Sequence, residues 1–153
     1  MKKDYTHFSV ILDRSGSMES IKDSTIKGFA AFIEEQKTAV GTATISLTKF
    51  DDKIELDYAF KDIKEISGLD LVPRGSTALL DAIGVTLNSL RTRLDEMKEE
   101  EQPENVIVVI ITDGEENSSK EFSYEKIADK ISKTTEQDKW KFVFLGANQD
   151  AIS

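Results

Sequence analysis

Three short apolar runs organise the chain: FSVIL (8–12), VIVVII (106–111) and FVFL (142–145). Each is rich in β-branched or aromatic residues and none alternates. Strands covered on both faces have that pattern, so the runs predict central parallel strands. Two other segments do alternate. TISLTKF (44–50) sets Ile45 and Leu47 against Thr44, Ser46 and Thr48, and IELDYAF (54–60) sets Ile54, Leu56, Tyr58 and Phe60 against Glu55, Asp57 and Ala59. With FDDK between them, they predict an antiparallel hairpin whose second strand is a sheet edge.

Helical spacing fills the intervals. Residues 18–38 carry Ile26, Phe29, Ala30 and Ile33, with Ser17 where an N-cap would sit. Residues 77–98 carry Leu80, Ile83, Leu87, Leu90, Leu94 and Met97, and residues 123–137 carry Tyr124, Ile127, Ala128 and Ile131. The middle stripe is too short for a coiled coil and suits a helix lying on a sheet. The order β-α-β-β-α-β-α-β predicts an α/β fold: a doubly wound (Rossmann-like), mostly parallel sheet with one antiparallel edge strand and helices on both faces. There is no internal repeat, low-complexity tract or linker. The longest irregular piece is 61–76, and the expectation is one domain over 1–153.

Charge narrows the partners. The chain of 153 residues has 29 acidic and 20 basic side chains, a formal charge of −9. A surface of that sign repels phosphate backbones, and no basic cluster with interleaved aromatics offsets it, which argues against nucleic acid. It suits a divalent cation. With no cysteine, disulfides and thiolate metal sites are excluded. The start, MKKDYTHFSVILD, lacks a signal-peptide core, and no run approaches the roughly 18 apolar residues of a membrane span. The expected location is cytoplasmic, without a membrane.

In open α/β sheets, sites form outside the carboxyl ends of the parallel strands, at the switch in strand order. After the first run comes Asp13-Arg14-Ser15-Gly16-Ser17. After VIVVIIT (106–112) comes Asp113-Gly114-Glu115-Glu116-Asn117, and Pro73-Arg74-Gly75-Ser76-Thr77 enters the middle helix at the same end. Together these loops offer two carboxylates and three hydroxyls, without imidazole or thiol. An all-oxygen set selects a hard cation, Mg²⁺ or Mn²⁺ ahead of Ca²⁺. Neutral hydroxyls leave such an ion electrophilic and suit it to accept an acidic partner rather than to run catalysis. Taken singly, Asp13 and Ser17 read first as turn or cap residues, Thr77 as an N-cap, and Asp113-Gly114 as a turn; the conjunction of the three loops at one end of the sheet shifts the balance to a ligand set.

D-R-S-G-S (13–17) resembles the D-x-S-x-S element of the von Willebrand factor A (VWA) family. G-S-T-A-L (75–79) is similar to that family's threonine loop and T-D-G (112–114) to its second aspartate. The resemblance implies a metal-ion-dependent adhesion site in which Ser15, Ser17 and Thr77 supply hydroxyl ligands and Asp13 and Asp113 bind directly or through water. It further implies a protein partner whose Asp or Glu carboxylate completes the Mg²⁺ or Mn²⁺ shell. The chain is most similar to bacterial or phage intracellular members, which act as assembly or adaptor modules. It stops at Ser153, short of the further strand and closing helix usual in the family, so no helix-shift mechanism carries over.

Three other readings stand beside it. A phosphatase of the haloacid dehalogenase type also has an aspartate after its first strand but uses a second acid two positions on, where this chain has Ser15. A dinucleotide site needs G-x-G-x-x-G, of which only Gly16 is present. A structural domain with an unused metal site is the third. The expectation is a binding module and not an enzyme. Arg14, Arg74, Glu115, Asn117 and Asn148 read as rim residues that tune the partner or as ordinary solvated ones. His7 reads as a strand start at the far end of the sheet, and Trp140 as core rim.

Overall fold

The computed structural model describes residues 1–113 and 117–145. Its strands are β1 (Lys2–Asp13), β2 (Thr42–Phe50), β3 (Ile54–Asp62), β4 (Pro103–Ile111) and β5 (Lys141–Leu145), arranged β3-β2-β1-β4-β5 in one sheet. Every neighbouring pair is parallel except β2–β3, the predicted hairpin. Helices α1 (Lys22–Lys37), α2 (Leu79–Asp95) and α3 (Tyr124–Gln137) make the crossovers. After β1 the chain winds first to β2 on one side and later to β4 on the other. The crevice of the doubly wound fold therefore opens where β1 and β4 end.

The two faces bury separate cores. Phe8, Val10 and Leu12 of β1 meet Phe29 and Ile33 of α1, together with Ile63, Ile66 and Leu71 from the loop that follows β3. On the opposite face Ile11 and Phe50 join Ile83, Leu87 and Leu90 of α2, and Ile127 of α3 joins Trp140 and Phe142. Trp140 is core rim, as expected. Tyr124 is not core: it is the first residue of α3 and stands 76% exposed. Gly84 lies in the buried face of α2 because Phe122 packs flat on it; a Cβ there would stand 2.5 Å from the ring.

β1 is much longer than FSVIL, and His7 is not at its start. Residues 2–7 are mostly polar, yet β4 pairs with Lys2, Thr6 and His7 and β2 with Tyr5, Thr6 and His7, around an irregularity at Asp4 (φ +59°). His7 is fully buried. Its Nδ1 lies 2.7 Å from Thr44 Oγ1, its Nε2 lies 3.2 Å from Ser46 Oγ, and the ring stacks on Phe60 at 3.8 Å. The polar face of β2 is thus an interior one.

Burial lowers the His7 pKa to about 3. The unfolded chain takes up this proton near pH 6.5 while the folded one withholds it, so stability is full above that pH and declines as pH falls toward 3. The expected loss from pH 7 to pH 5 is about 2 kcal/mol, read from urea midpoints, and His7→Gln should flatten the dependence. A wild-type midpoint that does not move over that interval would contradict the buried neutral imidazole.

Candidate metal centre

β1 ends in Asp13, whose carboxylate is fully buried. Its Oδ1 accepts the Ser15 N–H at 2.7 Å, which folds the chain back at once, and its Oδ2 accepts the Thr112 hydroxyl at 2.8 Å from the end of β4. The chain then enters a 3-10 turn, Gly16–Ile21, and only afterwards α1. The expectation that Ser17 caps the helix is therefore corrected. Ser17 lies inside the turn, shares a 3.1 Å hydrogen bond with Ser15 Oγ, and donates to Asp113 Oδ2. Thr77 does not cap α2 either: that helix begins at Leu79, and Ala78 precedes it without a side-chain cap. Both hydroxyls are released from helix duty by one or more extra residues of loop.

Backbone hydrogen bonds stitch the three loops together. Gly16 N–H donates to Gly75 O at 3.0 Å, and Arg74 N–H to Arg14 O at 2.7 Å. Gly75 has φ +71°, a conformation that favours glycine, and a Cβ there would press on the Asp51 and Asp52 carboxylates. Thr77 is buried, donates its N–H to Asn117 Oδ1 at 2.8 Å, and accepts the Asn117 and Ser118 N–H groups on its carbonyl. Asp13, Ser15, Ser17 and Asp113 are thus linked side chain to side chain, and Thr77 is held at the same end of the sheet through its backbone.

The electrostatics of Asp13 fit a cation. Burial pushes its carboxyl above the usual range; the Ser15 and Thr112 donors oppose this, and the Asp113 charge adds to it. The donors it receives are neutral, so no side chain hydrogen-bonded to it offsets its charge. Among the described residues no group of three or more His, Asp or Glu side chains is placed to hold a metal ion. A centre here would have to draw on hydroxyls, the donors this cluster supplies.

Several contributors escape a sequence reading. Thr112 follows β4 within T-D-G, but nothing local marks its hydroxyl as a donor to Asp13. Asp51 is buried at the close of β2, where Ala78 N–H donates to its carbonyl at 2.9 Å. Burial alone would raise its carboxyl, but the Lys53 N–H, Arg74 and Arg14 outweigh that and hold it below the usual range. Asp81 accepts the N–H groups of Lys120, Glu121 and Phe122, anchoring the segment that carries Asn117. Arg14 is not the solvated rim residue of one reading, whereas Asn117 is exposed and still tied to the site. Arg14 is buried and Asn117 clasps Thr77. Gly114, Glu115, Asn148 and the end of the chain lie outside the described residues.

Solved structures share this fold. A von Willebrand factor type A protein from Catenulispora acidiphila matches 92% of this chain with a TM-score of 0.57 at 14% sequence identity. The fold is VWA-like. The ArnB paralog VWA2 from Sulfolobus acidocaldarius matches 95% with a TM-score of 0.55 at 18% identity, and proximal thread matrix protein 1 from the mussel byssus matches 93% at 0.57 and 19%. This VWA-like chain spans about a third of the length of those proteins, 32%, 36% and 35% respectively. No family model and no curated protein sequence matches it. Among the described residues no helix is long and apolar enough to cross a membrane.

Proposed function

We propose that the chain is a divalent-metal-dependent protein-binding module and not an enzyme. The observation that carries the reading is the convergence of Asp13, Ser15, Ser17 and Asp113 into one hydrogen-bonded cluster with Thr77 beside it, at the crevice of a VWA-like sheet. Ser15, Ser17 and Thr77 would hold a Mg²⁺ or Mn²⁺ ion by their hydroxyls, with Asp13 and Asp113 direct or through water. Bound there, the ion supplies a Lewis-acidic position for a carboxylate from a protein partner. The protein's own contribution would be to gather three neutral hydroxyl donors at one end of the sheet while Thr112 and the Ser15 N–H fix Asp13. With a hydroxyl at Ser15 where a phosphatase needs an acid, the cluster holds no second acid–base group two positions after Asp13. An adaptor or assembly role inside the cell is the corresponding expectation.

The experiment is capture of partner proteins on immobilised chain, with Mg²⁺ and with chelator. Retention that chelator releases, and that Thr77→Ala lacks, is the expected result. Equal retention in both conditions would refute metal dependence.

A further inference from the structure

Immediately beside the cluster is a site of opposite character. Arg14, Lys49, Asp70, Val72 and Arg74 line an open cavity of about 120 Å³. Three cations and one carboxylate line it, and Asp51, Glu55 and Asp57 pair with those cations from its edge. Arg14 lies between Asp13 and Ser15 in sequence, and both its backbone groups are fixed: its N–H donates to Phe50 O and its carbonyl accepts Arg74 N–H, each at 2.7 Å. The backbone of Arg14 is thereby fixed beside the cluster.

The Arg14 guanidinium is incompletely satisfied. Its side chain is 9% exposed, and Nη1 donates to Glu55 Oε2 at 3.2 Å. Nη2 is 3.1 Å from Glu55 Oε1 and Nε is 3.6 Å from Asp51 Oδ2, yet neither buried nitrogen has an aligned acceptor. Glu55 is a loose occupant, 58% exposed on the edge strand. Arg74, 56% exposed, adds Nε to Asp51 at 3.0 Å and Nη2 to Glu55 at 3.6 Å, and Lys49 leans on Asp57 at 3.4 Å. A bidentate carboxylate is the group this fork geometry matches, and Glu55 meets it poorly.

We infer that the Arg14–Lys49–Arg74 cavity receives a second acidic side chain of the partner, in exchange for Glu55. The partner is then an acidic segment with two carboxylates, one for the metal and one for this cavity. The inference extends the metal-site reading but its anion site needs no metal. Glu55 acts as an internal stand-in that keeps the fork from binding stray anions.

The test is a titration of the ¹⁵N-labelled full chain with acetate in chelator, reading the Arg14 and Arg74 Nε–H signals, against chloride at equal ionic strength. A saturable acetate shift is expected, about threefold tighter in Glu55→Gln, since an exposed ion pair is worth no more than that order, and lost in Arg74→Ala. Both substitutions change half-exposed side chains, and unchanged amide spectra elsewhere confirm the fold. A shift that chloride reproduces, or a Glu55→Gln affinity equal to wild type, would overturn the inference. Repeating the titration with Mg²⁺ reads the metal separately, at the Ser15 and Thr77 amides. Silence there counts against the metal centre and leaves the cavity result standing.

Discussion

Asp13→Ala is expected to abolish the response of the protein to Mg²⁺. If the cluster holds the ion, wild type at a hundredfold excess over Kd gains about 2.7 kcal/mol, or roughly 5–10 °C in Tm for a chain of this size. The alanine variant should gain nothing. Because alanine also strips the acceptor from the Ser15 N–H and the Thr112 hydroxyl, it would lower the metal-free Tm as well. Asp13→Asn separates the two effects. The amide can accept from Ser15 and meet the Thr112 hydroxyl with its NH₂ group, while removing a buried charge that Asp113 opposes. Its metal-free Tm should match or exceed wild type, with no Mg²⁺ response. Thermal melts with and without Mg²⁺ read both; an Asn variant whose Tm still climbs would refute the role given to Asp13.

Phe50→Ala should cost about 3–5 kcal/mol in urea unfolding, the range for a large aromatic removed from a closed core. Phe50 is fully buried at the end of β2 in the core beneath α2, and its carbonyl receives the Arg14 N–H. Domains of this size are stable by only about 5–15 kcal/mol, so the variant should be partly unfolded in mild denaturant. A loss below about 1 kcal/mol would mean that this end of the sheet is not the packed platform described, by the usual scale of core truncations.

How much of this was legible in the sequence differs by element. The interiors of β1, β4 and β5 are legible because a strand covered on both faces has little choice but a continuous apolar run. Its ends are not. Lys2 to His7 join the strand because β2 and β4 pair with them around the irregularity at Asp4, a tertiary cause with no local mark. The polar face of β2 looks like a wet face until His7 fills it from 37 and 39 residues away. At the site, Asp13, Ser15, Ser17, Thr77 and Asp113 could be nominated from residue type and position after each strand. Their local reading as caps failed because the 3-10 turn Gly16–Ile21 and the residue Ala78 intervene before the helices start. Arg14, Asp51 and Asn117 acquire their roles only through partners distant in sequence, and a charged residue in a loop gives no sign of which distant residue it will meet.

The central claim is that these five side chains hold a divalent ion, and Mn²⁺ tests it most directly. Sub-stoichiometric Mn²⁺ added to the ¹⁵N-labelled chain broadens amide signals near wherever it binds. The account predicts selective loss of signals from residues 13–17, 74–77 and 112–113, reversed by excess Mg²⁺. Broadening centred instead on the acidic turn Glu99–Glu101, or spread evenly over the acidic surface without saturation, would contradict it.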